Sequence, residues 1–162
     1  MVTEPHLPDP EAYYPGARGR EHPGPAAVRL PIAIADQLFA HARAAVPNEA
    51  CGVIVGDLPA AEGGVATRWV PLRNALASPV RYAIDPDDLL RLTIETDDAD
   101  EVFWAIVHSH VASPARPSPT DVRESHYPDA LYILVSLAPE PGIRAWRILD
   151  GAVHEVELSI DG

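Results

Sequence analysis

Two histidines separated by one residue give the strongest chemical signal in the chain. His108 and His110 directly follow the apolar run VFWAIV. In an extended segment, side chains at i and i+2 lie on the same face, so both imidazoles can point at one ion. Asp121 comes eleven residues after His110, and the intervening loop is long enough to bring its carboxylate back to that ion. We therefore expect His108, His110 and Asp121 to bind a metal ion.

This set of ligands indicates hydrolysis. Two histidines and one carboxylate leave one position of a tetrahedral zinc ion open for water, and zinc acidifies that water and polarises a carbonyl group. Zinc is the expected metal, although iron or manganese suits the same nitrogen and oxygen ligands. A hydrolase also needs a group that moves the proton, and Glu49 is the candidate because it precedes the strand-like segment CGVIVG. Ser118 is expected to donate a hydrogen bond to the oxyanion or to the water.

Composition limits the possible classes of protein. With 162 residues, 47% of them hydrophobic, the chain suits one globular domain. A net charge of −12 disfavours a nucleic-acid surface, which needs clustered basic residues. The single cysteine, Cys51, excludes an internal disulfide and is interpreted as a small buried hydrophobe, although an approach to the metal or to a substrate thiol is an alternative. Neither a membrane-spanning run nor a signal peptide is recognised, so we expect a cytoplasmic protein.

The hydrophobic pattern predicts a domain of alternating strands and helices. Residues 1–27 contain six prolines and no periodicity, and are predicted to be a flexible tail before a domain at 28–162. Apolar spacing predicts a helix over Ile34–Val46, and Asp85 with Pro86 predicts the start of a second helix that ends near Thr96. The expected strands are 51–56, 65–72, 80–84, 102–107, 130–136, 142–149 and 152–158.

Two of these predicted elements would position the chemistry. The strand at 102–107 is apolar at nearly every position, which is typical of a strand covered on both faces, and it is expected to end directly in His108. Ser118 and Pro119 predict the start of a short helix with Asp121 in its first turn. The metal ligands are therefore expected on a strand end and on a helix start.

These residues resemble the JAMM (MPN+) metallopeptidase family. Its motif is a distal glutamate followed by H-x-H-P-x6-S-x-x-D, which is similar to Glu49, the His108-Ser109-His110 triplet and Ser118-x-x-Asp121. One position departs, because Val111 stands where the family usually has proline. The resemblance covers about residues 28–160 and is closest to small actinobacterial members. It is carried by the stretches HARAAVPNEACGV, NALASPVRYAID, PSPTDVRESHYPDALYILVS and ILDGAV.

The resemblance implies a fold, an activity and a partner. The implied fold is α/β, a mixed β-sheet flanked by helices that is similar to the cytidine deaminases, although the H-x-E and P-C-x-x-C motifs of deaminase chemistry are absent from the sequence. The actinobacterial relatives hydrolyse the amide between cysteine and the C-terminal glycine of a ubiquitin-like sulfur-carrier protein, whose Gly-Gly tail enters the site. The alternatives are a broader isopeptidase acting on ubiquitin-like tails and a non-catalytic MPN scaffold.

The roles of several nearby polar residues are left open by the sequence. Asn74, Ser78 and Tyr82 either line a groove for the carrier tail or pack locally. Arg81 and Arg123 either hold a product carboxylate or pair with surface acids. The remaining histidines are expected to be structural or solvated, and they are His6, His22, His41, His126 and His154.

Overall fold

The computed structural model describes residues 27–162. In this part of the chain the strands are β1 (Ala27–Pro31), β2 (Cys51–Gly56), β3 (Ala66–Leu72), β4 (Val102–His110), β5 (Leu131–Ser136), β6 (Gly142–Leu149) and β7 (Ala152–Asp161). The helices are α1 (Ile32–Ala45), α2 (Pro86–Asp98) and α3 (Pro119–Arg123), with a 3-10 turn at Ala60–Glu62. The tail predicted at 1–27 lies outside the described residues except for Ala27, which begins β1.

The strands form one mixed sheet with the order β1-β7-β6-β5-β4-β2-β3. The pairs β1–β7 and β4–β5 are parallel, and the other neighbours are antiparallel. The predicted α/β architecture with a mixed sheet is therefore confirmed. Because parallel neighbours require a crossover connection, the chain leaves the end of β4, passes through α3 and returns to begin β5 beside it.

The centre of the sheet is covered on both faces. Strands β2 and β5 are buried along their whole length. One face packs against α1 through Ile34, Leu38 and Ala42, and the opposite face carries a second apolar cluster that includes Leu92 of α2. Apolar cover on both faces explains the continuous hydrophobic sequence of β4 and holds its end rigidly.

The prediction of a strand at 80–84 is wrong. Only Ile84 pairs, in an isolated bridge with Asn74. The Asn74 side chain binds the neighbouring backbone groups instead: its amide donates to the Arg81 carbonyl, and its Oδ1 accepts from the Ala83 N–H, both at 3.1 Å. A side chain that captures backbone donors and acceptors in this way competes with a β-ladder.

Strands β4 and β1 also differ from the prediction. Strand β4 does not end at His108 but continues to His110, because β5 pairs with it as far as Ser136. The edge strand β1 was not predicted, since five residues carry too little periodicity. Within residues 27–162, no helix is long and apolar enough to cross a membrane.

Candidate metal centre

The end of β4 presents two imidazoles to the same point. His108 is paired with Cys51 of β2 on one side and with Leu134 of β5 on the other, so its backbone is fixed by both neighbours. His110 lies two residues further along and on the same face. The Nε2 atoms of His108 and His110 are 3.2 Å apart, and both residues are buried. The expected convergence of the two histidines is therefore present.

Asp121 reaches these histidines from the first turn of α3. Its Oδ2 lies 3.1 Å from His108 Nε2 and 3.3 Å from His110 Nε2. The same oxygen accepts a hydrogen bond from the Ser118 N–H at 2.8 Å, within a capping box that starts the helix. The helix start therefore fixes the position of the carboxylate.

The hydrogen bond at His110 Nδ1 makes this cluster suitable for a cation. Its Nδ1 lies 2.7 Å from the Pro114 carbonyl oxygen, which can only accept, so the neutral ring carries its proton on Nδ1. When a cation replaces the Nε2 proton that otherwise bonds Asp121, the Nε2 lone pair faces the same point as His108 Nε2 and the Asp121 carboxylate. Tetrahedral ligands about 2.0–2.1 Å from zinc are separated by roughly 3.3 Å, close to the three distances found here. The residues fit a bound metal ion.

Burial and the close partners shift the pKa values of these ligands. Burial raises the pKa of Asp121, but hydrogen bonds with His108 and His110 outweigh it and hold that pKa well below the usual range. Burial lowers the pKa of His108. Burial also acts to lower the pKa of His110, but its hydrogen bonds with Asp121 and Pro114 raise it overall. A proton therefore competes with a metal ion for His110 as the pH falls.

Glu49 is held beside β4 by its backbone. Its N–H donates to the Ser78 carbonyl at 2.8 Å, and its carbonyl accepts from the Asn74 side-chain amide at 3.1 Å. The next residue, Ala50, donates its N–H to Ser109 Oγ at 2.8 Å and accepts from the Ser109 N–H at 3.0 Å. These bonds extend the pairing of β2 and β4 beyond the strand and bring Glu49 to the histidines.

The Glu49 carboxylate has the properties of a proton carrier. Only 4% of the residue is exposed, and its Oε1 has no hydrogen-bond partner among the described residues. Burial raises the pKa of Glu49 to about 7; the charge of Asp121 adds to this shift and that of His110 opposes it. One carboxylate of the site is thus firmly ionised and the other titrates near neutral pH, a division that assigns different roles to two acids.

Both carboxylates lie near the histidines, but at different separations. One ligand-type atom from each of Glu49, His108 and His110 lies within 4.8 Å of the others. Asp121 Oδ2 makes the closer approach, 3.1 and 3.3 Å to the two Nε2 atoms. By distance Asp121 suits the position of a third ligand better than Glu49, and the separate roles of the two carboxylates stay predictions.

Ser118 is part of the same cluster through its cap. Its Oγ accepts a hydrogen bond from the Asp121 N–H at 3.1 Å. A hydroxyl that accepts in this way still has its own proton to donate. A contact between Ser118 and the oxyanion therefore stays a prediction.

The nearby residues whose roles the sequence left open make different kinds of contact. The Tyr82 ring stacks on His108, whereas Asn74 and Ser78 bind the Glu49 backbone. Arg81 and Arg123 engage acidic or polar neighbours, at 2.7 Å to Glu124 and 3.2 Å to Thr120 respectively.

Cys51 and the Pro114 carbonyl complete the surroundings of the site. Cys51 is buried and its pKa is raised by burial to about 12, so the thiol stays protonated, as expected for a small buried hydrophobe. The Pro114 carbonyl that orients His110 was not predicted from the sequence. No sequence signal could have found it, because a backbone carbonyl is present in every residue.

Sequence comparisons relate this chain to one protein family and to two curated proteins, among others. The sequence profile of a family described as prokaryotic homologs of the JAB domain matches residues 31–149. A CysO-cysteine peptidase from Mycobacterium tuberculosis is 41% identical over 130 residues, which are 78% of this chain and 86% of that protein. A desampylase from Haloferax volcanii is 30% identical over 131 residues, which are 78% of this chain and 91% of that protein.

Solved structures agree with this family at the level of the fold. A solution structure of a Desulfitobacterium hafniense protein superposes with a TM-score of 0.70 and 32% identity, covering 82% of this chain and 91% of that one. A JAB1/MPN domain protein from Archaeoglobus fulgidus superposes with a TM-score of 0.52. It covers 82% of this chain and 99% of that one. At 16% identity, this second likeness concerns the fold alone.

Proposed function

Because the chain belongs to the family of prokaryotic homologs of the JAB domain, we propose that it hydrolyses the amide between cysteine and the C-terminal glycine of a ubiquitin-like sulfur-carrier protein. One observation carries the chemistry: Asp121 Oδ2 lies within 3.3 Å of both histidine Nε2 atoms, and the buried Glu49 carboxylate lies beside them. The 41% identity with a CysO-cysteine peptidase supports the substrate. A cytoplasmic location is part of the same proposal.

The metal in this proposal is zinc, held by His108, His110 and Asp121. Their two imidazole nitrogens and one carboxylate oxygen form a donor set that zinc prefers for catalysis. Zinc in such a site supplies a Lewis acid that polarises the scissile carbonyl and makes water more acidic. Burial of both histidines excludes bulk water and strengthens that effect.

Glu49 moves the proton in the proposed reaction. Its carboxylate accepts a proton from the attacking water and passes it to the nitrogen of the departing cysteine. In the metal-free protein burial raises the pKa of this carboxylate to about 7, so its surroundings accommodate the protonated form that the proposed transfer requires. The Ser118 hydroxyl donates to the oxygen that gains negative charge, while its Oγ continues to cap α3.

A glycine tail suits the depth of this site. Exposure of His108, His110 and Glu49 is only 1%, 7% and 4%, so a substrate must enter as a narrow, extended chain. Glycine has no Cβ, which lets its carbonyl approach buried groups more closely than that of any other residue. The proposal therefore assigns the acyl side of the cleaved bond to glycine.

A broader activity on ubiquitin-like conjugates is the second candidate. The 30% identity with a desampylase favours it, because that relative is covered almost completely. A non-catalytic scaffold has less support, because Glu49 and all three predicted ligands meet in one cluster. The two catalytic candidates differ only in the group that leaves.

The experiment offers both leaving groups to the zinc-loaded protein. One substrate is a ubiquitin-like carrier that ends in Gly-Gly with cysteine joined to the last glycine, and the other has that glycine joined to a lysine side chain. Cleavage is followed by intact mass, with Asp121→Asn as the control. The proposal predicts faster loss of cysteine. Faster cleavage of the lysine conjugate would favour the broader activity, and cleavage of neither would exclude both.

A further inference from the structure

The two histidines of the proposed metal centre are oriented in different ways. His110 places its Nδ1 2.7 Å from the Pro114 carbonyl, and a metal-binding histidine almost always donates its second ring N–H in this manner. His108 departs from that rule. Its Nδ1 is buried and has no hydrogen-bond partner in the described part of the chain. On the Nδ1 side, something other than a hydrogen bond must therefore fix the His108 ring.

Tyr82 provides a different kind of contact. The rings of Tyr82 and His108 are stacked, with centroids 4.2 Å apart and planes inclined by 17°. Rotation of an imidazole about its Cβ–Cγ bond has broad energy wells, so a ring without a hydrogen bond at Nδ1 can turn away from its ligand direction. A flat ring packed against its face opposes that rotation.

The backbone on each side of Tyr82 is itself fixed. The Asn74 amide donates to the carbonyl of Arg81, and its Oδ1 accepts from the N–H of Ala83. Asn74 also donates to the Glu49 carbonyl, which ties this loop to the site. Tyr82 thus has the rigidity that a positioning contact requires.

We propose that Tyr82 is a positioning residue of the metal centre, whose ring holds the His108 imidazole by stacking so that Nε2 faces His110 and Asp121. This inference rests on the metal site of the proposed function. It assigns the role to the ring of Tyr82 and none to its hydroxyl. Tyr82→Phe should therefore keep the His108 imidazole in position, and Tyr82→Leu should not.

The test measures zinc affinity by competition with a chelating dye, without any carrier substrate. We expect Tyr82→Leu to bind zinc about 10–100-fold more weakly, which is typical for loss of a group that orients a ligand. Tyr82→Phe should stay within roughly twofold of the wild type because the stack is kept. Phe103→Leu is the matched control, since it removes a ring from the other end of β4, where Phe103 contacts Tyr127. Its zinc affinity should not change.

Three results would overturn the inference. Equal zinc affinity of Tyr82→Leu and the wild type would mean that the stack does not position His108. An equal loss in Tyr82→Phe would assign the effect to the hydroxyl. Absence of tight zinc binding by the wild type would overturn the metal site of the proposed function as well, which separates that failure from the other two. Thermal unfolding in EDTA checks the fold, and Tyr82→Met replaces Tyr82→Leu if the leucine variant does not fold.

Discussion

Ser118 and Asp121 cap each other across the first turn of α3. Ser118 Oγ accepts from the Asp121 N–H at 3.1 Å, and Asp121 Oδ2 accepts from the Ser118 N–H at 2.8 Å. The same Oδ2 atom faces the Nε2 atoms of His108 and His110. A local signal for the start of a helix therefore also orients a proposed metal ligand.

Replacing Ser118 separates its cap from its proposed role in catalysis. Ser118→Ala should lower the free energy of unfolding by about 1 kcal/mol, because the cap on α3 is lost. It should also lower kcat about 10²–10³-fold, because the oxyanion loses a donor. Urea unfolding and steady-state cleavage of the carrier–cysteine amide measure the two effects.

The matched control for Ser118 is Asp85→Ala. Asp85 caps α2 by accepting from the N–H groups of Asp87 and Asp88. Its loss should produce a comparable fall in stability with little change in kcat. If both variants lose kcat equally, Ser118 acts only through the fold.

Asn74 connects Glu49 to the loop that follows β3. In Asn74→Asp the side chain keeps acceptors for the N–H groups of Leu76 and Ala83 but loses the donor to the carbonyls of Glu49 and Arg81. We expect kcat to fall about tenfold, because small displacements of a proton carrier are costly. Asn48→Asp, which adds the same charge one residue from Glu49, should retain most of the activity. Equal kcat values for the two variants would contradict this role of Asn74.

The parts of the site that local sequence determines could be predicted. The alternation of His108 and His110 at the end of an apolar strand is a local pattern, and so is the Ser118-Pro119 start of α3. Both were predicted, although β4 extends three residues beyond the predicted strand at 102–107. The approach of Glu49 depends on the register that pairs Cys51 with His108. Local periodicity does not fix register between strands, so that approach was expected from the order of the strands and from the family resemblance.

The wrong prediction of a strand at 80–84 has a different physical cause. The segment at 80–84 has the composition of a strand, but Asn74, several residues earlier, captures its backbone groups. Tyr82, which stacks on His108, lies between the two residues that Asn74 binds, and local periodicity does not predict such a contact. A single side chain with several hydrogen bonds therefore overrode the β-propensity of the segment.

Zinc should stabilise the protein only while its ligands are intact. At free zinc of about 100 times Kd, a ligand that binds only the folded state adds about 2.7 kcal/mol to the free energy of unfolding. We expect this gain for the wild type and for His154→Ala, which removes an exposed histidine on β7. His110→Ala should show no gain at the same zinc concentration. A gain of wild-type size in His110→Ala would place the zinc elsewhere.

The raised pKa of Glu49 predicts how the stability of the metal-free protein depends on pH. Folding raises this pKa from 4.5 to about 7 by burial, so the folded state favours the protonated carboxyl. The stabilisation is complete below pH 4.5 and is lost as the pH rises through about 7. The loss is on the order of 3 kcal/mol.

Urea unfolding in EDTA at pH 4.5 and pH 8 measures this effect. Glu49→Gln cannot ionise, so its free energy of unfolding should fall less than that of the wild type between these two values. Titrating groups that do not interact with Glu49 cancel in the comparison, so the difference reports Glu49 together with its coupling to His110 and Asp121. Parallel pH profiles would show that Glu49 has an ordinary pKa.

The central claim is that zinc at His108, His110 and Asp121 and the proton carrier Glu49 together release cysteine from a carrier tail. The most direct measurement is the intact mass of a cysteine-adducted carrier incubated with zinc-loaded wild type or zinc-loaded Glu49→Gln. We predict that the wild type removes one cysteine residue and that Glu49→Gln, with zinc still bound, does so about 10²–10⁴-fold more slowly. An adduct left intact by the zinc-loaded wild type, or cleaved equally fast by Glu49→Gln, would contradict the account.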